Sequence, residues 1–171
     1  MVGASRKPAV GMSALFDVFV LGQAVQEMLD EGLAGAPLTA AEYAVYSQVL
    51  ATPGCTPTEL AAALSAPVST VSDWVQAMTT RAHITRSPRP KDRRSFAIAL
   101  TPAGRAAHLG TSIRFDAAYQ RFLARLPRPE AELRAVLAEA VEAVRAARAA
   151  VAAEPTLAAA ATGGQKVSGG T

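Results

Sequence analysis

The sequence predicts a mainly α-helical chain that carries one small β-hairpin. Alanine is abundant in the 171 residues and only 5% of them are aromatic, a composition that favours helices because alanine has the highest helix propensity. Two capping boxes, Thr39–Glu42 and Thr56–Glu59, mark helix starts. Between residues 84 and 100, two short runs with period-two alternation flank Pro88 and Pro90. This pattern predicts two strands joined by an exposed turn that begins at Pro88.

Composition excludes several classes of protein. The chain is long enough for one domain with appendages. Cys55 is the only cysteine, which rules out an intramolecular disulfide and fits a reducing cytosol. The sequence has no apolar run of membrane-spanning length and no secretory leader pattern, so we expect a cytoplasmic protein without membrane association. His83 and His108 have no ligand-type neighbours in sequence, and no phosphate-binding glycine loop occurs. We therefore expect no metal site, no cofactor and no enzymatic activity.

The N-terminal segment predicts self-association. After a flexible N-terminus at residues 1–11, a helix from Met12 to about Gly32 is apolar on two faces. A chain this short has few partners with which to cover both faces, so a second copy is the simplest partner. We expect residues 12–36 to form a dimerisation helix of a homodimer.

Residues 37–100 predict a helix–turn–helix followed by the hairpin. The first capping box starts a helix that ends near Leu50, and the second starts a short helix that ends near Leu64. A third helix, from about Val68 to Arg81, is apolar on one face and carries small polar side chains on the others. This arrangement is typical of winged DNA-binding domains, whose second helix enters the major groove.

The hairpin is strongly basic. From residue 86 to 105 it carries one acid and six basic side chains, Arg86, Arg89, Lys91, Arg93, Arg94 and Arg105. Such a cationic ribbon can lie beside a phosphate backbone, although an isolated basic turn can also be only a solvated loop. With the helix–turn–helix before it, the hairpin predicts a wing. The candidate DNA-binding residues on the helix and wing are Ser69, Thr70, Ser72, Asp73, Gln76, Arg86, Arg89, Lys91, Asp92, Arg93 and Arg94.

Five short motifs resemble the MarR family of winged helix–turn–helix transcription regulators. They are Leu38–Tyr43, Glu59–Ala61, Ser69–Ser72, Asp92–Arg94 and Leu100–Arg105. The resemblance covers roughly residues 12–150. It implies a homodimer with intertwined N- and C-terminal helices, bound to a pseudo-palindromic operator in double-stranded DNA. In many members of the family, a small phenolic or other ligand bound between the dimerisation and DNA-binding parts releases the DNA, and others respond to cysteine oxidation. The side chains that could line a pocket for a small aromatic effector are Phe16, Phe19, Tyr43 and Tyr46, although aromatic residues on these faces are more often core.

Residues 101–154 fit the dimerisation helices that the resemblance implies. Thr101 and Pro102 start a helix that runs to about Leu126, and a narrow-striped helix follows from Glu130 to about Ala152. The rest, 155–171, is composed mostly of Ala, Thr, Gly and Ser and is expected to be a disordered tail.

Some positions depart from the family pattern. Asp73 places an acid on the predicted recognition helix, where it either accepts from a cytosine amino group or points away from DNA. Ala82 stands where the family usually has the glycine that ends this helix in a left-handed conformation. Arg89 and Lys91 make the wing unusually basic. Cys55 lies outside the N-terminal helix that holds the family's peroxide-sensing cysteine, so we interpret it as a plain small residue.

The sequence thus predicts a sequence-specific DNA-binding regulator, with repressor the favoured mode. The alternative is a winged-helix module that binds proteins or ligands without specific DNA binding, which Asp73 and the few bases on the recognition helix weakly favour.

Overall fold

The computed structural model describes residues 13–89 and 92–153, with the backbone alone at 92–94 and 153. Its elements are α1 (Ala14–Gly32), α2 (Ala40–Ala51), α3 (Pro57–Ala63), α4 (Val68–Thr80), β1 (Ile84–Arg89), β2 (Asp92–Leu100), α5 (Pro102–Leu123) and α6 (Glu130–Ala153). The predicted fold class, mainly helical with one hairpin, is confirmed. The segments predicted to be flexible or disordered, 1–11 and 155–171, lie outside the described residues.

The chain divides into two compact units, one ending at Ala124 and the other beginning at Arg125. The first contains α1 to α5 and the hairpin. The second contains α6, whose surface carries the ion pairs Glu130–Arg134 and Glu142–Arg145 along one helix. Among the described helices, none combines the length and the apolar character that crossing a membrane requires.

The core lies where the helix–turn–helix packs on the root of the hairpin. Its central members are Tyr46, Val49, Leu60, Val71, Val75, Met78 and Ile98. The three residues from α4 follow the i, i+4, i+7 spacing that predicted its inner face. Burial of this one stripe therefore fixes which side chains of α4 face outward.

Both predicted capping boxes are present. The Thr39 hydroxyl accepts a hydrogen bond from the Glu42 backbone N–H, and the Glu42 carboxylate accepts one from the Thr39 N–H. Thr56 and Glu59 repeat this arrangement at the start of α3, with Pro57 at the first helical position. These local bonds explain why both helix starts could be read from the sequence.

The hairpin is longer than predicted. Pro88 lies inside β1 and pairs with Phe96, so the prediction that the turn begins at Pro88 is wrong; the irregular register comes between Pro88 and Arg89. A two-stranded ribbon has only edge strands, and a proline is tolerated there because its missing N–H removes no hydrogen bond from a central ladder. A second feature that the sequence did not predict is an isolated antiparallel bridge between Cys55 and Ile98. It ties the connection before α3 to the hairpin.

Among the residues that the structure describes, two other than glycine adopt left-handed backbone angles, Ser65 with φ 51° and Ala82 with φ 54°. Each follows the end of a helix of the helix–turn–helix. At Ala82 the backbone N–H donates to the Thr79 carbonyl, and the next N–H, of His83, donates to the Met78 carbonyl. This is a Schellman ending, which glycine usually provides. The predicted left-handed Ala82 is confirmed, whereas Ser65 was not foreseen.

The start of α5 is built against the end of α4. The Thr101 hydroxyl accepts from the Gly104 N–H and donates to the Ala82 carbonyl at 2.9 Å. The Thr101 N–H donates to the His83 carbonyl at 2.9 Å, and the Arg105 guanidinium donates to the Leu100 carbonyl at 2.6 Å. The Leu100–Arg105 run therefore fixes how the wing returns to the helices.

Candidate nucleic-acid interface

The outer face of α4 is polar and accessible. Ser69, Ser72, Asp73 and Gln76 are exposed and Thr70 is half-buried. The Ser72 hydroxyl donates to the Val68 carbonyl one turn earlier, whereas the side chains of Asp73 and Gln76 make no hydrogen bond or ion pair with another described residue. The helix thus presents one amide and one carboxylate that remain available to an external partner.

Arg86 is held at the root of the wing. Its Nη2 donates to the Thr79 hydroxyl of α4 at 2.7 Å, and its guanidinium carbon lies 4.7 Å from the centroid of the Phe96 ring. The Thr79 hydroxyl in turn donates to the Val75 carbonyl. Stacking and hydrogen bonding pre-orient a guanidinium without neutralising its charge.

A cleft of about 380 Å³ opens beside Arg86. It lies between the start of α3, the middle of α4 and the wing. Its lining includes Thr58, Ser72, Gln76, Arg86 and Ser95. Hydroxyl, amide and guanidinium donors therefore converge on one concave surface.

Arg89 is the last residue of β1, and its side chain contacts α3. Its Nη1 lies 3.3 Å from the Glu59 Oε1 on α3, where it forms an ion pair. Hydrogen bonding from the Thr56 backbone, followed by smaller contributions that include Arg89, holds the pKa of Glu59 below its ordinary value of 4.5. The carboxylate that caps α3 thereby also forms an exposed ion pair with the last residue of β1, a kind of pair that contributes little to stability.

The remaining wing candidates fall at the turn. Lys91 lies outside the described residues, as do the side chains of Asp92, Arg93 and Arg94; the backbone of these last three belongs to β2. We expect the Asp92 carboxylate to hold the Arg94 guanidinium through a charge-assisted hydrogen bond, a prediction about side chains that the structure does not describe.

The four aromatic candidates for an effector site do not share one environment. Tyr46 is only 1% exposed and its hydroxyl shares a hydrogen bond of 2.8 Å with the His83 Nδ1. Tyr43 stacks on His108 at 4.8 Å and contacts Phe115 of α5. Phe16 and Phe19 are 40% and 61% exposed on α1. Tyr46 thus belongs to the core of the helix–turn–helix.

His108 connects α5 to α2. Its Nε2 shares a hydrogen bond of 2.9 Å with the Ser47 hydroxyl of α2. Burial lowers the pKa of His108 below its ordinary value of 6.5. The imidazole is therefore neutral at pH 7 and joins α5 to α2.

The lone cysteine, Cys55, is buried at the bridge to Ile98. Burial, and to a smaller extent the nearby Glu59 charge, raises the pKa of its thiol above 9.0. A buried, protonated thiol reacts slowly, which fits the interpretation of Cys55 as a packing residue.

Comparison with known proteins identifies the domain. Residues 38–96 match the model of the MarR family. This segment, about a third of the chain, is therefore similar to the MarR domain. The matched segment begins at Leu38, before α2, and ends at Phe96 in β2, so it contains the helix–turn–helix and most of the wing.

Solved structures extend the likeness beyond that segment. The transcriptional regulator PcaV from Streptomyces coelicolor, solved with its natural ligand, is 22% identical, with a TM-score of 0.67 over 84% of this chain and 99% of its own. A probable transcriptional regulator from Pseudomonas aeruginosa is 25% identical, with a TM-score of 0.66 over 77% and 98%. MepR from S. aureus, solved as a DNA complex, is 19% identical, with a TM-score of 0.64 over 79% and 98%.

A comparison with the curated proteins found no match. The family match and the structural likeness together show the winged-helix fold of MarR-family transcription regulators.

Sequence reasoning missed several contacts at the interface. Arg81 pairs with Glu42, and Arg89 pairs with Glu59. Both carboxylates were recognised only as parts of capping boxes. The sequence gives no local sign of either pair, because the basic residue and the carboxylate are about 30 to 40 positions apart in the chain.

Proposed function

We propose that this chain is a cytoplasmic, homodimeric transcription regulator that binds a pseudo-palindromic operator sequence-specifically. We propose further that it acts as a repressor. The observation that carries the proposal is the outer face of α4, which is free of internal bonding at Asp73 and Gln76 and lies beside Arg86 of the wing. A helix with small polar side chains can approach base edges closely in the major groove.

The residues of α4 have different roles in this proposal. Gln76 can donate to and accept from an adenine edge, and the hydroxyls of Ser69, Thr70 and Ser72 contact either bases or phosphates. Asp73 is exposed and, among the described residues, has no cationic partner. An acid in this position either accepts from a cytosine amino group or lies away from the duplex, because it would repel phosphate.

The wing supplies charge in this proposal. Arg86 is pre-oriented toward the cleft, while Lys91, Arg93 and Arg94 follow at and after the turn. Phosphate contacts of this kind position the protein and add affinity that falls with salt. Arg89 adds to these phosphate contacts when it leaves its exposed pair with Glu59.

Dimerisation is supported by α1. None of its 19 residues is buried within the chain, although it carries Leu15, Phe16, Val18, Phe19, Val20 and Leu21. An apolar helix with no buried residue needs a further surface to cover it, and a second copy supplies one. Independently, α6 exposes Val136, Val141, Val144 and Val151. A twofold dimer would protect half-sites about 10 base pairs, or a multiple of that, apart.

The proposed effector site is an aromatic surface between α2 and α5. PcaV was solved with its natural ligand, and Tyr43 with Phe115 and His108 forms an aromatic surface between α2 and α5. In the dimer, Phe16 and Phe19 would complete this surface. Binding of a small aromatic molecule there would cause the protein to release the operator.

Substitutions in the wing test DNA binding directly. We expect Arg94→Ala to abolish measurable binding in a mobility-shift titration against DNA upstream of the protein's own coding sequence. Lys91→Ala should weaken binding to all sequences alike and lower the slope of log K against log salt by about one. Undiminished binding by the Arg94 variant would refute the proposed role of the wing. Binding with no preference for any DNA sequence would favour a winged-helix interaction module instead.

Truncation tests the dimer. Deleting residues 1–30 should give an aggregating or unfolded product, because the surfaces that α1 covers in the dimer would be exposed. Deleting residues 155–171 is the matched control and should leave the oligomeric state and DNA affinity unchanged. A stable, folded monomer from the first deletion, measured by light scattering, would contradict homodimerisation through α1.

A further inference from the structure

The junction between α4 and the wing is a single bend. The recognition helix ends at Thr80, Arg81 follows as its C-cap, Ala82 turns left-handed and His83 leads into β1. The direction of the wing relative to α4 is therefore set over three residues. The contacts of Arg81 and His83, the two residues that flank Ala82, therefore fix this angle.

Helix α2 contacts both of those residues. The Glu42 Oε1 lies 2.7 Å from the Arg81 Nη2, and the Tyr46 hydroxyl lies 2.8 Å from the His83 Nδ1. Glu42 and Tyr46 are four positions apart and so lie on one face of α2. One turn of α2 thus contacts the residues on both sides of the bend.

The space around these contacts is closed. Glu42, Tyr46, Arg81 and Trp74 border an opening of only about 10 Å³, which is at most the room that one water molecule needs. A space of this size does not admit a ligand larger than water, so these contacts form a packed joint. Trp74 is the only tryptophan in the chain and borders this joint.

The joint is charged at neutral pH. Burial alone would raise the pKa of Glu42, but hydrogen bonds from the Thr39 backbone N–H and from Arg81 outweigh it and lower the pKa below 4.5. The bond with Glu42 correspondingly raises the pKa of Arg81. The Glu42 carboxylate is shared between the start of α2 and the end of α4, so it couples the two helices.

We infer that Glu42, Tyr46 and Arg81 form an interhelical clamp that positions the recognition helix and the wing for DNA. They act as positioning residues and do not contact DNA themselves. The inference rests on the proposed function, because it assigns to α2 the control of operator affinity. A displacement of α2 would then change the angle between α4 and the wing through the clamp.

Electrostatics and positioning predict opposite signs for Glu42. If the carboxylate acted only through its charge, Glu42→Gln would tighten binding by removing an anion near the DNA-binding surface. If it positions the bend, the same variant weakens binding. Glutamine preserves the capping box because its amide oxygen still accepts from the Thr39 N–H.

The test compares Glu42→Gln, Arg81→Ala and their double variant with the wild-type protein. We expect each single variant to bind the operator about fivefold more weakly, the upper range for an ion pair of this exposure. The double variant should be no weaker than either single one, because both break the same contact. The salt slope should stay unchanged, and Trp74 emission without DNA should shift in all three.

Two further variants make the result specific. Tyr46→Phe removes the bond to His83 without changing charge or the packing of the ring, and it should weaken binding as well. Glu59→Gln is the matched control, because it removes the same charge from the same position of the other capping box without touching Arg81. We expect it to tighten binding, since it removes an anion and releases Arg89.

Several results would overturn the inference. Equal or tighter binding by Glu42→Gln would do so, as would equal weakening by Glu59→Gln, which would assign the effect to capping boxes in general. A weaker Arg81→Ala with a salt slope lowered by about one would show that Arg81 contacts phosphate directly. If the wild-type protein binds no operator, the proposed function fails; non-additive shifts of Trp74 emission would then still show the joint, without its role in affinity.

Discussion

Gly104 is the residue whose replacement should damage the junction between the wing and α5 most directly. A Cβ added at Gly104 would lie 2.2 Å from the His83 carbonyl oxygen, where ordinary contacts are 3.4–4 Å. The obstacle is backbone rather than the end of a flexible side chain. In Gly104→Ala, α5 and the bend after α4 must therefore move apart by roughly 1 Å.

The expected loss follows from the contacts at this point. Separation breaks the bonds from Thr101 to the His83 and Ala82 carbonyls, at about 1 kcal/mol each. Residual crowding destabilises the variant by about 1–3 kcal/mol more. The higher helix propensity of alanine stabilises it by about 1 kcal/mol. We expect the free energy of unfolding to fall by about 2–4 kcal/mol.

Urea unfolding followed by circular dichroism at matched protein concentration measures this loss. Gly110→Ala is the control, because it lies in the same helix and gains the same propensity. Its added Cβ would meet only the Pro37 ring, at 3.2 Å, so its stability should change little. A Gly104→Ala variant as stable as the parent would refute the argument that close backbone approach requires this glycine.

Two further predictions concern the bend and pH. Ala82→Gly should leave stability unchanged or raise it by up to about 1 kcal/mol, because relief of the left-handed strain at φ 54° slightly exceeds the entropic cost of glycine; a loss above about 1 kcal/mol in the same assay would contradict this. Because burial lowers the pKa of folded His108 below 6.5, the unfolded chain binds a proton first as pH falls, so stability should decrease below about pH 6.5 and recover above it. His108→Gln should flatten that part of the curve of unfolding free energy against pH, and an unchanged slope would assign it to other groups.

Local signals made most of the fold predictable. The hydroxyl–carboxylate spacing at Thr39 and Thr56 and the i, i+4, i+7 stripe at Val71 depend on neighbours within one or two turns, so the sequence displays them directly. Left-handed Ala82 was predictable because a family position constrains it. Ser65 occupies the same kind of bend after α3, yet serine is common in ordinary turns and gives no such sign.

Contacts between distant segments account for what the sequence did not predict. Pro88 entered a strand because its partner Phe96 lies across the ribbon. The Cys55–Ile98 bridge and the pairs made by Glu42 and Glu59 join residues that are far apart in the chain. Their chemistry was visible, but the choice of partner depends on how the helices pack.

The bare apolar surface of α1 has a consequence for the synthesis of the protein. Helix α1 leaves the ribosome before α5, and Ala118 of α5, which approaches Gly32 at the end of α1, follows more than 80 residues later. A nascent chain therefore exposes Leu15, Phe16 and Phe19 to solvent before α5 has been synthesised. If a second copy finally covers them, neighbouring ribosomes on one message supply that copy at high local concentration, whereas a dilute chain remains prone to aggregation.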